Sequence, residues 1–325
     1  MTVFIIFFIL PIFEQFIPKY ESNYSDNEKK EILNERFYDL LLYFNVPISY
    51  LVVFLYVNSL LFDSLQLSEL IGITLSVGTV IGACCINVAH ELGHRKNKFE
   101  NFLAKALLLP AFYMHFFIEH NRGHHKNVAT PNDPASSRKG ENLYQFWFRS
   151  IKGSYLSAWK IQLTLLEKNQ QKFFSLNNEM LIFHIIKFFY LAFFYYFFGV
   201  YIASAVFIVG FLGILLLETI NYIEHYGLNR ELLPSGKYET VKPYHSWNSD
   251  FSLGRIMLYE LTRHSDHHYL ASKKYQTLDS YKGSPQLPFG YPASMVISFF
   301  PPLWFYIMDK RLTFDYKKEY NSNKI

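Results

Sequence analysis

The chain has 325 residues, half of them hydrophobic and 19% aromatic, with 33 Phe and 25 Tyr against only 18% charged residues. A formal net charge of +4 supplies no basic stripe suited to nucleic acid. The only two cysteines, Cys84 and Cys85, are adjacent in an apolar run, which excludes a disulfide framework and a four-cysteine zinc or iron site within this chain.

In chain order, the apolar residues fall in blocks long enough to cross a hydrocarbon layer of ~30 Å, not at the spacing of a soluble core. Residues 1–17 are apolar apart from Thr2, Glu14 and Gln15, and lack the positive n-region and small-residue cleavage site of a secretory signal. The charged stretch Tyr20–Arg36 reads as a loop or surface helix. Two apolar blocks, 38–62 and 67–88, are joined by a link containing Asp63, Ser64 and Gln66, which makes a membrane hairpin. Phe102–Ile118, interrupted by Lys105, Pro110 and His115, reads as interfacial. A second hairpin, 180–198 and 200–220, turns near Gly199. Pro285–Met308 is apolar but holds five prolines, so it is expected to be re-entrant or to lie on the surface.

These blocks predict an all-α integral membrane protein. It is a multi-span helical bundle forming one domain over 1–325, with spans at about 1–17, 38–62, 67–88, 180–198 and 200–220. The polar segments 89–175 and 221–284 would form a helical cap. The surplus of Lys and Arg over Arg95–Lys98 and Arg122–Lys172 assigns the cap to the cytoplasm, and both hairpins then open on that side. If residues 1–17 also span, the two termini face opposite compartments. An external N-terminus, or a first helix missing from this chain, would account for that parity.

Eight of the twelve histidines occupy three short windows: His90 and His94, then His120, His124 and His125, then His264, His267 and His268. Spacings of three and four residues project side chains from one helix face, and converging neutral imidazoles are metal ligands. His225, where the second hairpin returns to the cap, makes nine. Nine is too many for one ion of four to six ligands, so two ions follow. An all-imidazole site suits iron, copper or zinc. Nine ligands over two octahedral ions leave one or two open positions each, which suits redox iron and O2. Glu91, Glu119, Glu224 and Asp266 are placed as acceptors for the ring N–H groups, behind the ligands themselves. His245 is a further residue expected to orient ligands, whereas His115 and His184 read as structural.

The residues His90-Glu91-Leu92-Gly93-His94-Arg95, Glu119-His120-Asn121-Arg122-Gly123-His124-His125, Asn221–Leu228 and Arg263-His264-Ser265-Asp266-His267-His268 resemble the boxes of the membrane fatty-acid desaturase and hydroxylase superfamily. Within it the sequence is most similar to the bacterial alkane 1-monooxygenases and their xylene-monooxygenase relatives. The segments Ala129–Ser136, His245–Ser249, Leu287–Tyr291 and Pro301–Trp304 extend the likeness to nearly the whole chain. The resemblance implies six transmembrane helices, a cytoplasmic di-iron site held by histidines, and an apolar channel. The expected reaction is O2-dependent conversion of n-alkanes to primary alcohols in a bacterial inner membrane. It also implies that 1–17 matches the family's second helix. Arg95 stands where lysine is more familiar, which is expected to be harmless in a solvated turn.

Electrons must come from outside, because no dinucleotide fingerprint, Cys-x-x-Cys pair or haem motif is present in this sequence. By resemblance the donor is a rubredoxin or ferredoxin served by an NAD(P)H reductase. Such donors are acidic, and Arg138, Lys139, Arg149, Lys152 and Lys160 are the expected landing surface. Two rival readings share parts of the pattern. A fatty acyl or lipid desaturase or hydroxylase would use the same metals. A membrane zinc metalloprotease would use His90-Glu91-Leu92-Gly93-His94, which matches H-E-x-x-H with Glu91 as general base.

Overall fold

A computed structural model describes residues 2–323. Residue 1, where the first expected span begins, lies outside the described residues. Among the described residues the regular structure is helical. In chain order the helices used below are α1 (Thr2–Glu14), α2 (Asp26–Asn34), α3 (Arg36–Phe62), α4 (Leu67–Gly93) and α5 (Lys98–Leu108). Next is α6, which runs Phe116–Glu119, widens into a π-helical turn over His120–His124 and ends as His125–Asn127. There follow α7 (Leu143–Lys168), α8 (Glu179–His225), α9 (Ser252–Met257), α10 (His264–Tyr269), α11 (Tyr291–Ser298) and α12 (Pro301–Met308).

Three of these, α3, α4 and α8, are long and apolar enough to cross a membrane. The helical path of α8 breaks at Gly199, where φ is 81° and ψ 176°, a conformation that costs glycine little and other residues much. The two blocks expected at 180–198 and 200–220 lie on either side of that break. The expected first span is shorter than foreseen. The thirteen residues of α1 rise ~20 Å, less than the ~30 Å hydrocarbon layer. The proline-rich stretch 285–308 forms the two short helices α11 and α12, each with proline in its first turn.

The chain divides into two compact units. The first comprises Asp39–Gly123 and Lys152–Leu217, with the first residues of the chain. In it α4 and α8 approach closely because glycines meet bulky side chains. A Cβ on Gly78 would stand 2.6 Å from Leu212 Cβ, and one on Gly82 would stand 2.5 Å from Leu216 Cδ2. Polar groups on α3 find local partners: Tyr56 meets Thr74 at 2.9 Å, and Tyr50 donates to the Ala106 carbonyl at 2.8 Å. The outer faces of α3 and α8 carry exposed Phe44, Leu51, Phe54, Phe188, Phe189 and Tyr196, as a lipid-facing surface requires.

The second unit comprises Phe4–Tyr38, His124–Ile151 and Glu218–Ile325. Its core holds the fully buried Trp247, whose indole N–H donates to the Tyr226 carbonyl at 2.8 Å, together with Tyr222, Tyr291 and Trp304. The end of α1 is tied into it. The buried Glu14 accepts the Gly254 amide at 2.8 Å, and only a glycine at position 290 leaves room for its carboxylate. Residues 20–23 lie across the start of α10, gripped by the buried Arg263 through the carbonyls of Tyr20 and Ser22.

Candidate metal centre

The first unit gathers three of the nine histidines. His90 and His94 sit at the end of α4, just after a π-helical stretch over Ile81–Ile86, and His120 opens the π-turn of α6. His94 Nε2 and His120 Nε2 are 3.1 Å apart, and the His90 ring centroid lies 4.3 Å from that of His120. Phe116 stacks on His120 at 4.7 Å and fixes the plane of its ring.

The second unit gathers the other six in two sets. His124, His225, His264 and His268 form a buried tetrad whose ligand nitrogens all lie within 4.8 Å of one another. Neighbouring Nε2 atoms are separated by 3.2 Å (His124–His268), 2.9 Å (His268–His264) and 3.2 Å (His264–His225). His125 and His267 form a pair, Nε2 to Nε2, at 3.1 Å, packed against the tetrad with the His125 ring 4.6 Å from that of His268.

Helix geometry explains this sorting. His264 and His268 are four residues apart on α10 and share a face, while His267 points ~100° away from His268. His124 and His125 are adjacent on α6 in the same way, so one joins the tetrad and the other the pair. Widened turns of this kind recur at functional sites because they re-aim side chains without breaking the helix.

The donor set fits a metal ion. A neutral imidazole has one N–H, so a chain of inward Nε2 atoms at hydrogen-bond distance cannot all be satisfied by one another. Asp133 decides the matter at His124. It takes the ring Nδ1–H at 2.9 Å, which leaves the Nε2 lone pair facing inward. Asp133 is held in place by Ser136, whose hydroxyl donates at 2.5 Å. Burial alone would raise the Asp133 carboxyl, but the His124 ring and the Ser136 hydroxyl bring it below its ordinary value. Burial and the neighbouring imidazoles hold His268 well below the usual histidine value, so it is neutral, the form that binds metal. Nitrogens bound at ~2.1 Å are ~3.0 Å apart along an octahedral edge and ~3.4 Å apart in a tetrahedron. The spacings of 2.9 to 3.2 Å fall within this range, as donors gathered around one small ion require.

The expected supporting residues fall in varied places. Glu224, pinned by the Tyr291 hydroxyl at 2.8 Å, puts Oε2 3.2 Å from the inward Nε2 of His264, not from the outer nitrogen. Asp266 turns away from the imidazoles to Lys273 at 2.6 Å, Tyr281 at 3.0 Å and the Asp279 amide at 2.7 Å. Glu119 accepts from Ser157 at 3.2 Å. His245 stands outside the tetrad against Glu239 at 3.2 Å, and burial pushes it down to about 4. Glu91 accepts two bonds from Arg95, at 3.0 and 2.7 Å. The Arg95 side chain is 7% exposed and also reaches Asp39 at 3.4 Å, so position 95 is a buried ion-pair site and not the solvated turn expected.

Asp133 was not among the residues expected to support the ligands. Its signal was present in Ala129–Ser136, but nothing local says which ring an acid nine residues from His124 will meet. Asp133→Asn is expected to weaken metal binding ~10–100-fold. Competition with a chelator, read as metal retained per chain, checks this, and a variant that keeps its metal as the parent does would refute it.

The fatty acid desaturase family model matches residues 68–297. Alkane 1-monooxygenase 1 of Alcanivorax borkumensis is 38% identical over 94% of this chain and 75% of its own length. An alkane 1-monooxygenase of Acinetobacter baylyi is likewise 38% identical, over 96% of this chain and 76% of its own. The hydroxylase component of a xylene/toluene monooxygenase of Pseudomonas putida is 28% identical over 87% of this chain and 76% of its own.

Proposed function

The chain belongs to the alkane 1-monooxygenase family of the fatty acid desaturase superfamily, and on that footing we propose that it hydroxylates the terminal carbon of medium- or long-chain n-alkanes at a centre of two non-haem irons. The overall change is RCH3 + O2 + two electrons + two protons to RCH2OH + H2O. The observation that carries the reading is the buried, all-imidazole tetrad with its ring nitrogens at metal-ligand spacing.

His124, His225, His264 and His268 would hold one iron. The remaining five of the nine histidines, His90, His94 and His120 in the first unit and His125 and His267 in the second, are the donors left for the other. When bound, the irons supply O2 activation and oxidation of the C–H bond. The residues of the chain do the rest. Asp133 fixes the His124 tautomer, and Phe116 packs on His120, so both rings stay aimed before metal arrives. Glu224, with one oxygen on Tyr291 and the other facing the tetrad, places a carboxylate beside the centre, where a buried dication held by neutral rings needs counter-charge. An alkane has no polar handle, so selection rests on the apolar surroundings that admit it from the bilayer.

The centre faces the cytoplasm of a bacterial inner membrane, where a rubredoxin or ferredoxin with its NAD(P)H reductase delivers electrons. Arg138, Lys139, Lys152 and Lys160 remain as basic contacts for an acidic donor. Arg149 leaves that set, because it is spent on Glu141 and on the carbonyls of Pro134 and Ser136. The ion pair of Glu91 with Arg95 likewise ties up the base that a zinc protease would need.

The test is metal content and product on one preparation. The purified protein is assayed for iron and zinc, then given octane to hexadecane with O2 and a reduced rubredoxin system. Two irons per chain with primary alcohols are expected. Two irons with oxidised acyl lipid and no alkanol would move the substrate to the acyl class. One zinc without iron would overturn the reading.

A further inference from the structure

Beside the histidine-bearing turn of α6, which lends it Arg122, the first unit contains a basic pocket of about 420 Å³ walled by Lys98, Asn101, Phe102, Lys105, Phe117, Arg122 and Glu179. Lys98, Asn101, Phe102 and Lys105 recur at helical spacing on α5 and so present one face. Three cations against one carboxylate leave an excess of positive charge. Lys105 is already committed, paired with Glu179 and lying 4.6 Å above the Phe117 ring. Lys98 and Arg122 are exposed and have no ion-pair or hydrogen-bond partner among the described residues.

The pocket lies level with the helix ends. Lys98 follows the end of α4 at Gly93 by a few residues, and Glu179 is the first residue of α8. Both helices are long enough to cross a membrane, so this is the depth of lipid headgroups. Phe99 and Phe102 on α5 are 55% and 65% exposed, an apolar surface beside unpaired cations. The Asn101 Oδ1 atom is buried without a hydrogen-bond partner, an acceptor that needs a donor from a bound group.

We propose that this pocket binds the headgroup of an anionic phospholipid: a phosphodiester between Lys98 and Arg122, a headgroup hydroxyl donating to Asn101, and an acyl chain along Phe102. Basic pockets at helix ends select anionic lipids in this way, and the hydroxyl acceptor favours a glycerol headgroup over choline. The pocket's lining contains no histidine, so the proposal does not depend on which metal the centre holds, although Arg122 shares a turn with His120 and His124.

The experiment uses the full, iron-loaded protein in detergent. It is mixed with equal amounts of phosphatidylglycerol and phosphatidylcholine bearing the same acyl chains, and retained lipid is read by native mass spectrometry. The parent is expected to keep phosphatidylglycerol preferentially, and Lys98→Gln with Arg122→Gln to lose that preference by about fivefold per cation removed. Iron content and thermal unfolding show whether the fold is intact. Lys98→Gln alone, on the exposed first turn of α5, gives the single step should the double variant fail to fold. Equal retention of the two lipids by the parent, or an unchanged preference in the variants, overturns the proposal. Displacement of phosphatidylglycerol by inorganic phosphate as readily as by the diacyl lipid would also overturn it, as a free-anion site. So would lost affinity for an acidic redox protein with lipid retention unchanged, which would make the surface a protein contact.

Discussion

Replacing His268 by alanine is expected to remove one iron of two and to lower alkanol formation by more than the ~10–100-fold that follows from disturbing a mere outer partner of a ligand. His268 lies at the middle of the tetrad, 3.2 Å from His124 and 2.9 Å from His264, so its loss strips two neighbours of their common centre. Three buried rings then remain around a gap where the fourth donor stood, so the ion is held by fewer ligands and less tightly. His245→Ala is the matched control. It removes a buried histidine of the same unit whose bond is to Glu239, and it is expected to leave iron content unchanged. Iron per chain, measured with the product assay, separates the two cases. Full iron in His268→Ala would show that the tetrad is not a metal site. Iron lost equally from His245→Ala would show that any cut in this unit empties it.

The second large effect is expected at Arg263. Its side chain is 1% exposed and donates to the carbonyls of Leu278, Tyr20 and Ser22 at 2.6, 3.1 and 3.0 Å, and to Asn23 Oδ1 at 3.3 Å. Asp250, also buried, stands 3.6 Å from it. Arg263→Leu takes this donor from the Leu278 and Ser22 carbonyls, while Tyr20 and Asn23 keep their bonds to Arg255 and Ser280, and it removes the cation beside Asp250. Breaking a buried pair from one side costs ~3–5 kcal/mol, a large part of a typical protein's stability. The residues released, 20–23, then become open to limited proteolysis, and the neighbouring His264 loses its anchor. The check is a denaturation midpoint in detergent together with protease mapping of the N-terminal segment. Adding Asp250→Asn is expected to recover part of the loss, because it removes the stranded charge. Parent-like stability and protease resistance in Arg263→Leu would contradict this account.

Much of the architecture was legible in the residues because hydropathy and helix length are local. The blocks 38–62 and 67–88 correspond to α3 and α4 within a few positions, and the turn read at Gly199 falls where α8 breaks. The first block was harder, since a run of seventeen residues broken only by Thr2, Glu14 and Gln15 does not say where a helix stops. Here α1 stops at Glu14, whose carboxylate is bound by the amide of Gly254, 240 residues away. The histidine windows were equally readable, because i and i+4 spacing defines a helix face before any packing occurs.

The sequence by itself determined that this chain is helical and membrane-bound, and that its imidazoles are numerous enough, and suitably spaced, for metal. Only the tertiary structure decided how they divide. His124 meets His268 across 144 residues, and His125 and His267 pair with each other beside the four-ring tetrad because adjacent residues on one helix point in different directions. The same holds for the groups around the rings. Asp133 rather than Asp266 supports an imidazole, Arg95 is buried in an ion pair rather than solvated, and Arg149 is used internally. A carboxylate or guanidinium takes whichever partner long-range packing brings within ~3 Å, and no period in the chain encodes that choice.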